Sequence, residues 1–266
     1  MQINFAVLTK NRLDIGMKMP KTKFKQSFAI LAAVTILCAA TCSSSFAQSS
    51  KKDGSMTKGK AAEKSESVVT LFDGKSLDNF RGYKDDKVGK GWKIDDGALM
   101  FDGESGGGDI MTKEQYEDFE LSFDWKVDAG ANSGVMYRVT TGDNAPYFTG
   151  PEYQVLDDTK HHDGKKEITS AGSLYGLYKP SGKSLKKVGQ WNSAKIVLHG
   201  KKIEHWLNGK KVVEAEVDSE DWTNRVNGSK FKNWKKFGKN AKGHICFQDH
   251  GDKVWYRNIK VKSLKK

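Results

Sequence analysis

From Val68 to the C-terminus, the chain consists of short runs rich in Val, Ile, Phe, Tyr and Trp, separated by turns that contain glycine. Nine of these runs fit β-strands, and no segment shows sustained helical periodicity. In "KKIEHWLNGKKVVEAE", Asn208 and Gly209 form the favoured two-residue turn of a β-hairpin. Evenly spaced strands in a chain of this length predict an all-β fold over residues 68–266, a jelly-roll sandwich of two antiparallel sheets.

The first 47 residues have the pattern of a secretory signal peptide. Three lysines precede an apolar run over residues 28–42, and Ser45 and Ala47 are the small residues expected before a cleavage site. The run is short for a membrane span, so no integral membrane segment is expected. We therefore expect export to the periplasm or the medium. Nothing before Met19 is needed by such a signal, which makes Met19 an alternative start.

A lipid anchor is the competing interpretation of the same segment. It would need a small residue just before Cys38 or Cys42, and Leu37 and Thr41 fit that pattern poorly. Simple cleavage is therefore favoured. Residues 48–67 carry many charges and no aromatic residue, which predicts a flexible tether ahead of the β-domain.

The charge of the chain is +12, and +7 of it remains on residues 48–266. Much of this excess lies in residues 229–242, where lysines alternate with aromatic residues. Such a stretch can bind nucleic acid, but an exported protein meets little of it, so a solvated loop held by its aromatics is favoured. No nucleic-acid partner is expected. Cys246 is the one cysteine after the signal peptide, which excludes an internal disulfide in residues 48–266.

Alternation along the predicted strands separates core residues from a second, polar face. In "GPEYQVLDD", Tyr153 and Val155 are expected in the core, which leaves Glu152 and Gln154 together on the opposite face. A plain solvent face would be expected to carry Lys, Glu and Thr. A carboxylate beside an amide instead suits hydrogen bonds to sugar hydroxyls and proton transfer, which predicts a concave groove.

Three further strands contribute to the same predicted face. In "NSGVMYRV", Val135, Tyr137 and Val139 are expected inward and Arg138 outward. In "GHICFQDHG" and "KKIEHWLNG", the outward residues of interest are expected to be Gln248, His250 and His205, although the parity around Trp206 is ambiguous. Taken singly, each of these residues fits an ordinary structural role. Their accumulation across strands favours a site.

Residues 103–112, "GESGGGDIMT", place three consecutive glycines before Asp109. The segment lacks the Lys-Ser/Thr pair and the helix of a phosphate-binding loop. The glycines are expected to form a turn or to let the backbone approach a ligand or a neighbouring strand. Asp109, Asp157, His162 and Asp163 offer oxygen and nitrogen ligands for a divalent metal, but their spacing fits no known motif, so the cofactor stays undetermined.

Several motifs together resemble the 3-keto-disaccharide hydrolase family. They include "LFDGKSLDNF", "GGGDIMT", "FELSFDWKVDAGANSGVMYR", "GPEYQVLDD", "AGSLYGLYKP" and "GHICFQDHGDKVWYRNIKVK", and they lie in order over residues 71–262. The resemblance implies a concanavalin A-like jelly roll with a concave groove, exported by a bacterium. It implies cleavage of glycosides whose sugar is oxidised at C3, and a substrate that is such a glycoside or disaccharide. Cys246 and Phe247 depart from the small or aliphatic residue and Leu that the family more often has there.

The implied reaction needs no pair of spaced carboxylates. A ketone at C3 acidifies the hydrogen at C2, so a base can remove it, the enolate can expel the C1 substituent, and water can then add. Such a site needs a base, an oxyanion donor and an acid. Motif match and strand parity make Glu152 or a histidine the base, Arg138 the enolate donor, and His205 or His250 the acid.

Other residues of the matched motifs are candidates for substrate binding. Gln154 and Gln248 are expected to hold hydroxyls, and the remaining candidates are Asp109, Tyr137 and Asp157. The alternative function is a non-catalytic carbohydrate-binding module or lectin that uses the same face. The sequence leaves open the aglycone, the oligomeric state, and whether the enzyme is a hydrolase or a lyase.

Overall fold

A computed structural model of the chain describes residues 67–265. Within this range there are thirteen strands and one α-helix: β1 (Val68–Phe72), β2 (Phe80–Gly82), β3 (Trp92–Asp95), β4 (Ala98–Phe101), β5 (Ile110–Thr112), β6 (Phe119–Val127), β7 (Asn132–Val139), β8 (Glu152–Leu156), β9 (Asn192–His199), β10 (Lys202–Leu207), β11 (Lys210–Glu216), α1 (Glu220–Asn227), β12 (His244–Phe247) and β13 (Val254–Ser263). Short 3-10 helices occupy Pro146–Phe148, His162–Lys165, Glu167–Thr169 and Lys230–Asn233. The predicted signal peptide and residues 48–66 of the predicted tether lie outside the described residues.

The strands form two antiparallel sheets. The larger sheet has the order β11-β10-β9-β6-β13-β4-β3, with β1 also paired to β13, and the smaller sheet has the order β2-β5-β12-β7-β8. The predicted two-sheet jelly roll is confirmed. Each of the nine predicted runs contains a strand, whereas the three-residue strands β2 and β5 were not predicted because they are too short to show alternation.

Helix α1 was also not predicted from the sequence. It spans eight residues, about two turns, which is too short to give a sustained helical period. Its start is nevertheless visible in the sequence, since the Ser219 side chain caps the helix by accepting a hydrogen bond from the Trp222 amide. Trp222 is the residue that the helix buries against the core.

The two sheets pack through aromatic side chains from their facing surfaces. Phe123 of the large sheet makes edge contacts with Tyr153 and Phe247 of the small sheet, at ring-centroid distances of 5.7 and 6.4 Å. Phe247 also packs at 4.9 Å against Tyr256 of β13. Since each such ring buries a large apolar area, this cluster fixes how the small sheet lies on the large one. The predicted core positions Tyr153, Val155, Ile245 and Phe247 are thereby confirmed.

The prediction that His205 faces outward is wrong. Ile203, His205 and Leu207 all point into the core and are fully buried, while Glu204 and Trp206 face outward. The imidazole is tolerated there because both ring nitrogens have partners. Nε2 lies 2.9 Å from the Tyr137 hydroxyl, and Nδ1 lies 3.3 Å from the Gly172 carbonyl oxygen.

The prediction that Arg138 faces the groove is also wrong, because β7 contains a β-bulge. His244 pairs with Val139 and Cys246 with Met136, so Tyr137 and Arg138 together oppose one residue of β12. Arg138 has a φ of 55°, and after it the alternation is reversed. Val139 consequently joins a small cluster with Met136 and Cys246 rather than the main core that was predicted for it.

No helix among residues 67–265 is both long enough and apolar enough to cross a lipid bilayer.

Burial of His205 predicts an acid-sensitive contribution to stability. Burial lowers its pKa from 6.5 to about 4, so the unfolded chain binds a proton between these values that the folded chain does not. Stability should therefore fall as pH drops below 6.5, by about 2 kcal/mol between pH 7 and pH 5 from this residue alone. Urea unfolding of the wild type and His205→Gln at both pH values measures this. An equal change in both proteins would contradict the assignment.

Candidate active site

A pocket of about 430 Å³ opens on the face of the five-stranded sheet that points away from the core. Its floor comes from the strands β7 and β8 and from residues next to β5 and β12, while its walls come from the connecting segments. The lining residues are Asp109, Asn132, Tyr147, Gly150, Glu152, Gln154, Asp163, Tyr175, Lys230, Phe231, Phe237, Gln248, Asp249 and His250. Five predicted site residues therefore come together here: Glu152, Gln154, Gln248, Asp109 and His250.

Glu152 is the central ionisable residue of the pocket. Its carboxylate accepts no hydrogen bond from any residue that the structure describes. Burial raises the pKa of Glu152 to about 8, and the charges of Asp109 and Asp163 add to this, while Lys230 acts in the opposite direction. A carboxyl group with this pKa is protonated for most of the time at neutral pH, and its ionised form can accept a proton and return it.

The position of Glu152 depends on a glycine of β7, Gly134, that lies diagonally across from it. Gly134 pairs with Gln154 and Met136 pairs with Glu152, and the Glu152 side chain lies across the space above Gly134. A Cβ atom at Gly134 would lie 2.0 Å from Glu152 Oε1, which is far too close. The missing side chain of Gly134 therefore makes room for the carboxylate.

Three amide side chains line the pocket together with the Glu152 carboxylate. The fully buried Gln154 accepts a hydrogen bond at Oε1 from the Val155 amide at 3.1 Å, which fixes the orientation of its side chain. Asn132 is 3 % exposed, and its Oδ1 atom has no hydrogen-bond partner. An unpaired buried acceptor is costly, so a ligand that donates a hydrogen bond to Asn132 would be favoured. Gln248 follows β12, and its backbone N–H donates to the Gly134 carbonyl at 3.0 Å.

Asp109 lies at the edge of the pocket together with Asp249. The Asp109 carboxylate accepts a hydrogen bond from the Asp249 amide at 2.9 Å, and burial raises the pKa of Asp109 to about 6. The glycines before Asp109 let the backbone pass close to a neighbouring segment, which is one of the roles that the sequence analysis predicted for them. A Cβ atom at Gly107, which has a φ of 124°, would lie 2.6 Å from the Gly89 Cα atom.

One wall of the pocket consists of residues that the sequence analysis did not single out for the site. Lys230 is the one Lys or Arg among the described residues that line it, and its Nζ atom lies 4.4 Å from the centre of the Tyr175 ring. The Tyr175 hydroxyl donates to Asp163 Oδ2 at 3.1 Å. Lys230 belongs to the basic stretch predicted to be a solvated loop. The aromatic residues between the lysines could have indicated that this stretch packs against the protein, because Phe231 and Phe237 are both buried and line the pocket.

Four predicted site residues do not reach the pocket. His205 and Tyr137 are bonded to each other in the core. The Arg138 guanidinium is held by the Gly200 carbonyl and lies 4.0 Å from Asp118 Oδ1, where it ties β7 to the β9–β10 turn. Asp157 is buried and accepts hydrogen bonds from the backbone amides of Gly130 and Thr159, both at 2.8 Å, so it closes the turn after β8.

The predicted group of metal ligands is likewise not assembled as one site. Asp157 is engaged as just described, and Asp109 lies with Asp249 on another side of the pocket. His162 and Asp163 do lie together, with Nε2 and Oδ1 3.5 Å apart, and the neighbouring His161 lies beside them.

Comparisons with known proteins show the family of the chain. Residues 67–262 match the family described as the 3-keto-alpha-glucoside-1,2-lyase-like domain. The chain belongs to this family. A relative from Bacteroides thetaiotaomicron, a 3-keto-disaccharide hydrolase, is 37 % identical over 226 residues, with 74 % of this chain and 78 % of the relative covered.

Two crystal structures of Parabacteroides distasonis proteins assigned to the glycosyl hydrolases are also similar. The first is 36 % identical with a TM-score of 0.69, and the match covers 74 % of this chain and 94 % of that protein. The second is 33 % identical with a TM-score of 0.59, and the match covers 74 % and 100 %. Membership of the family confirms the resemblance found in the sequence and the expectation of a glycoside-cleaving enzyme.

Because the Glu152 carboxylate occupies the space above Gly134, we expect that a methyl group added at residue 134 would displace it. Gly134→Ala should keep its melting temperature, because only the flexible end of Glu152 must move, but should lose roughly 100-fold in the rate of glycoside cleavage. Gly228→Ala is the matched control, since φ there is −83° and a Cβ atom meets only ordinary contacts. Equal rates for Gly134→Ala and the control would contradict the role of this space.

Proposed function

We propose that this protein cleaves glycosides whose sugar carries a ketone at C3. The single observation that carries the proposal is the unpaired carboxylate of Glu152, with its raised pKa, at the floor of a pocket lined by amides. The match to the family and the name of the relative from Bacteroides thetaiotaomicron support the substrate class. The exported location expected from residues 1–47 forms part of the same proposal.

Glu152 acts as the base in the proposed reaction. It takes the proton from C2, which the neighbouring ketone has acidified, and the electron pair of the C2–H bond forms an enolate. The enolate then expels the C1 substituent, whose oxygen takes up the proton. Because C1 and C2 are adjacent, protonated Glu152 can return its proton to the leaving oxygen. Addition of water across the resulting double bond completes a net hydrolysis.

The remaining lining residues have simpler tasks. Lys230 supplies the positive charge that favours the enolate, in place of Arg138, which does not reach the pocket. The unpaired Asn132 Oδ1 accepts a hydrogen bond from a sugar hydroxyl. Gln154 and Gln248 keep the hydroxyl-binding task predicted from the sequence, and Asp109 lies where it can accept a further one.

The test compares a 3-keto-glucoside with the matching unoxidised glucoside by the release of aglycone. Only the keto compound should be cleaved, and Glu152→Gln should lose at least about 100-fold in rate. His199→Ala, an exposed histidine outside the pocket, is the control that should retain full activity.

Cleavage of both glucosides at similar rates would overturn the proposal in favour of an ordinary glycosidase. Binding of either compound without cleavage would instead favour the sugar-binding module. In heavy water, elimination followed by hydration should place deuterium at C2 of the product, beyond the exchange seen for the product alone in buffer.

The raised pKa of Glu152 also predicts how the rate depends on pH. The base must be deprotonated, so kcat/KM should rise with pH through an apparent pKa of about 8. In Lys230→Met the midpoint should move to higher pH, because the Lys230 charge lowers the pKa of Glu152 in the wild type. A rate that falls over the same range would instead identify Glu152 as an acid in the free enzyme.

A further inference from the structure

We propose that His161, His250 and Asp252 bind one divalent transition-metal ion at the mouth of the pocket. One ligand atom from each of these residues lies within 4.8 Å of the other two. A tetrahedral ion with bonds of about 2.1 Å needs ligand atoms roughly 3.4 Å apart, so small side-chain rotations would close the site. His250 itself lines the pocket, which places the ion next to the substrate space.

The backbone near two of the three ligands is already fixed. The His161 amide donates to the Asp157 carbonyl at 3.0 Å, which holds the turn that follows β8. The Asp252 Oδ2 atom accepts a hydrogen bond from the Asn132 amide at 3.1 Å and lies 3.6 Å from His250 Nδ1. The ligands thus come from two loops. The loop with His161 is bonded to Asp157, just after β8, and the loop with Asp252 is bonded to Asn132, the first residue of β7.

The ligand set indicates the class of ion. Two imidazoles and one carboxylate suit Zn²⁺, Mn²⁺ and their neighbours better than Mg²⁺ or Ca²⁺, which prefer oxygen ligands throughout. Three protein ligands also leave coordination positions free, as in catalytic rather than structural sites. The His161 and His250 rings already lie 5.8 Å apart in an edge-to-face arrangement, close enough for both to reach one ion.

A second group, formed by His161, His162 and Asp163, overlaps with the first through His161. It is the weaker candidate. The His162 side chain is 77 % exposed, and Asp163 is already bonded to the Tyr175 hydroxyl. The Asp163 amide donates to His161 Nδ1 at 3.2 Å, and this bond is lost in either group when an ion takes Nε2 and the ring proton moves to Nδ1, so it does not distinguish them.

The use of this ion in catalysis rests on the proposed function, whereas its binding does not. An ion at the mouth of the pocket would lie beside the polar oxygens of a sugar bound over Glu152 and would favour negative charge on them. His250 would then serve as a ligand, and not as the acid that the sequence analysis considered. This agrees with a mechanism in which Glu152 returns the proton to the leaving group.

The site is tested by metal binding to the purified exported protein, prepared without a histidine tag and stripped with a chelator. Calorimetric titration with Zn²⁺ and with Mn²⁺ should show one equivalent bound to the wild type. His161→Ala and His250→Ala should each lose at least tenfold in affinity for the ion, while His162→Ala and His199→Ala retain it. Melting temperatures measured without metal establish that the variants are folded.

The proposal is overturned if the wild type binds neither ion, or if His250→Ala binds as tightly as the wild type. Loss of binding in His162→Ala with retention in His250→Ala would assign the ion to the other group and would equally overturn it. Cleavage of a 3-keto-glucoside is measured in the same samples. Binding without cleavage would remove the proposed function alone, and cleavage without binding would remove the metal site alone.

Discussion

The packing of the small sheet on the large sheet through Phe123, Tyr153 and Phe247 determines which side chains can reach the pocket. Tyr153 must point into the core to meet Phe123, so its neighbours Glu152 and Gln154 must point away from it. A shift of β8 by one residue would exchange these two sets completely. The chemistry of the pocket floor is therefore a direct consequence of where the aromatic side chains lie in the core. The Tyr256 hydroxyl adds a polar link, since it bonds to Ser133, whose own hydroxyl donates to the Gln248 carbonyl.

The sequence correctly predicted the face on which a side chain lies where polar and apolar residues alternate without interruption along the strand. In β8 the alternation is unbroken, and the placement of Glu152 and Gln154 on the polar face was correct. In β10 Ile203 and Leu207 share a face with His205, whereas the large apolar Trp206 lies on the other face, and the sequence analysis gave Trp206 too much weight. The deciding fact is that the imidazole finds two hydrogen-bond partners in the core, and both are remote in sequence. The β-bulge at Arg138 could not be predicted from the sequence either, because a positive φ at a residue other than glycine does not alter the alternation of polar and apolar residues.

The walls of the pocket were harder to predict than its floor. Lys230 and Tyr175 lie on connecting segments, where no periodicity relates position in the sequence to direction in space. Their place in the pocket depends on tertiary contacts, such as the stacking of Phe231 on Phe237 at 4.2 Å. Resemblance to a family identified the reaction class, but geometry was needed to exclude Arg138 and to introduce Lys230. The floor thus follows from local rules, and the wall that completes it follows only from the assembled fold.

The distribution of charge in the pocket has a consequence for the choice of substrate. The whole chain carries a net charge of +12, yet Asp109, Asp163 and Asp249 line the pocket, and among the described residues Lys230 is the one Lys or Arg that does so. Glu152 adds little negative charge at pH 7, because its pKa is about 8. An acidic sugar, such as a uronic acid or a sugar phosphate, would be attracted to the surface at long range and repelled on entry. A neutral sugar would meet neither effect. In the proposed reaction, the charge of the pocket would therefore disfavour acidic glycosides relative to uncharged ones.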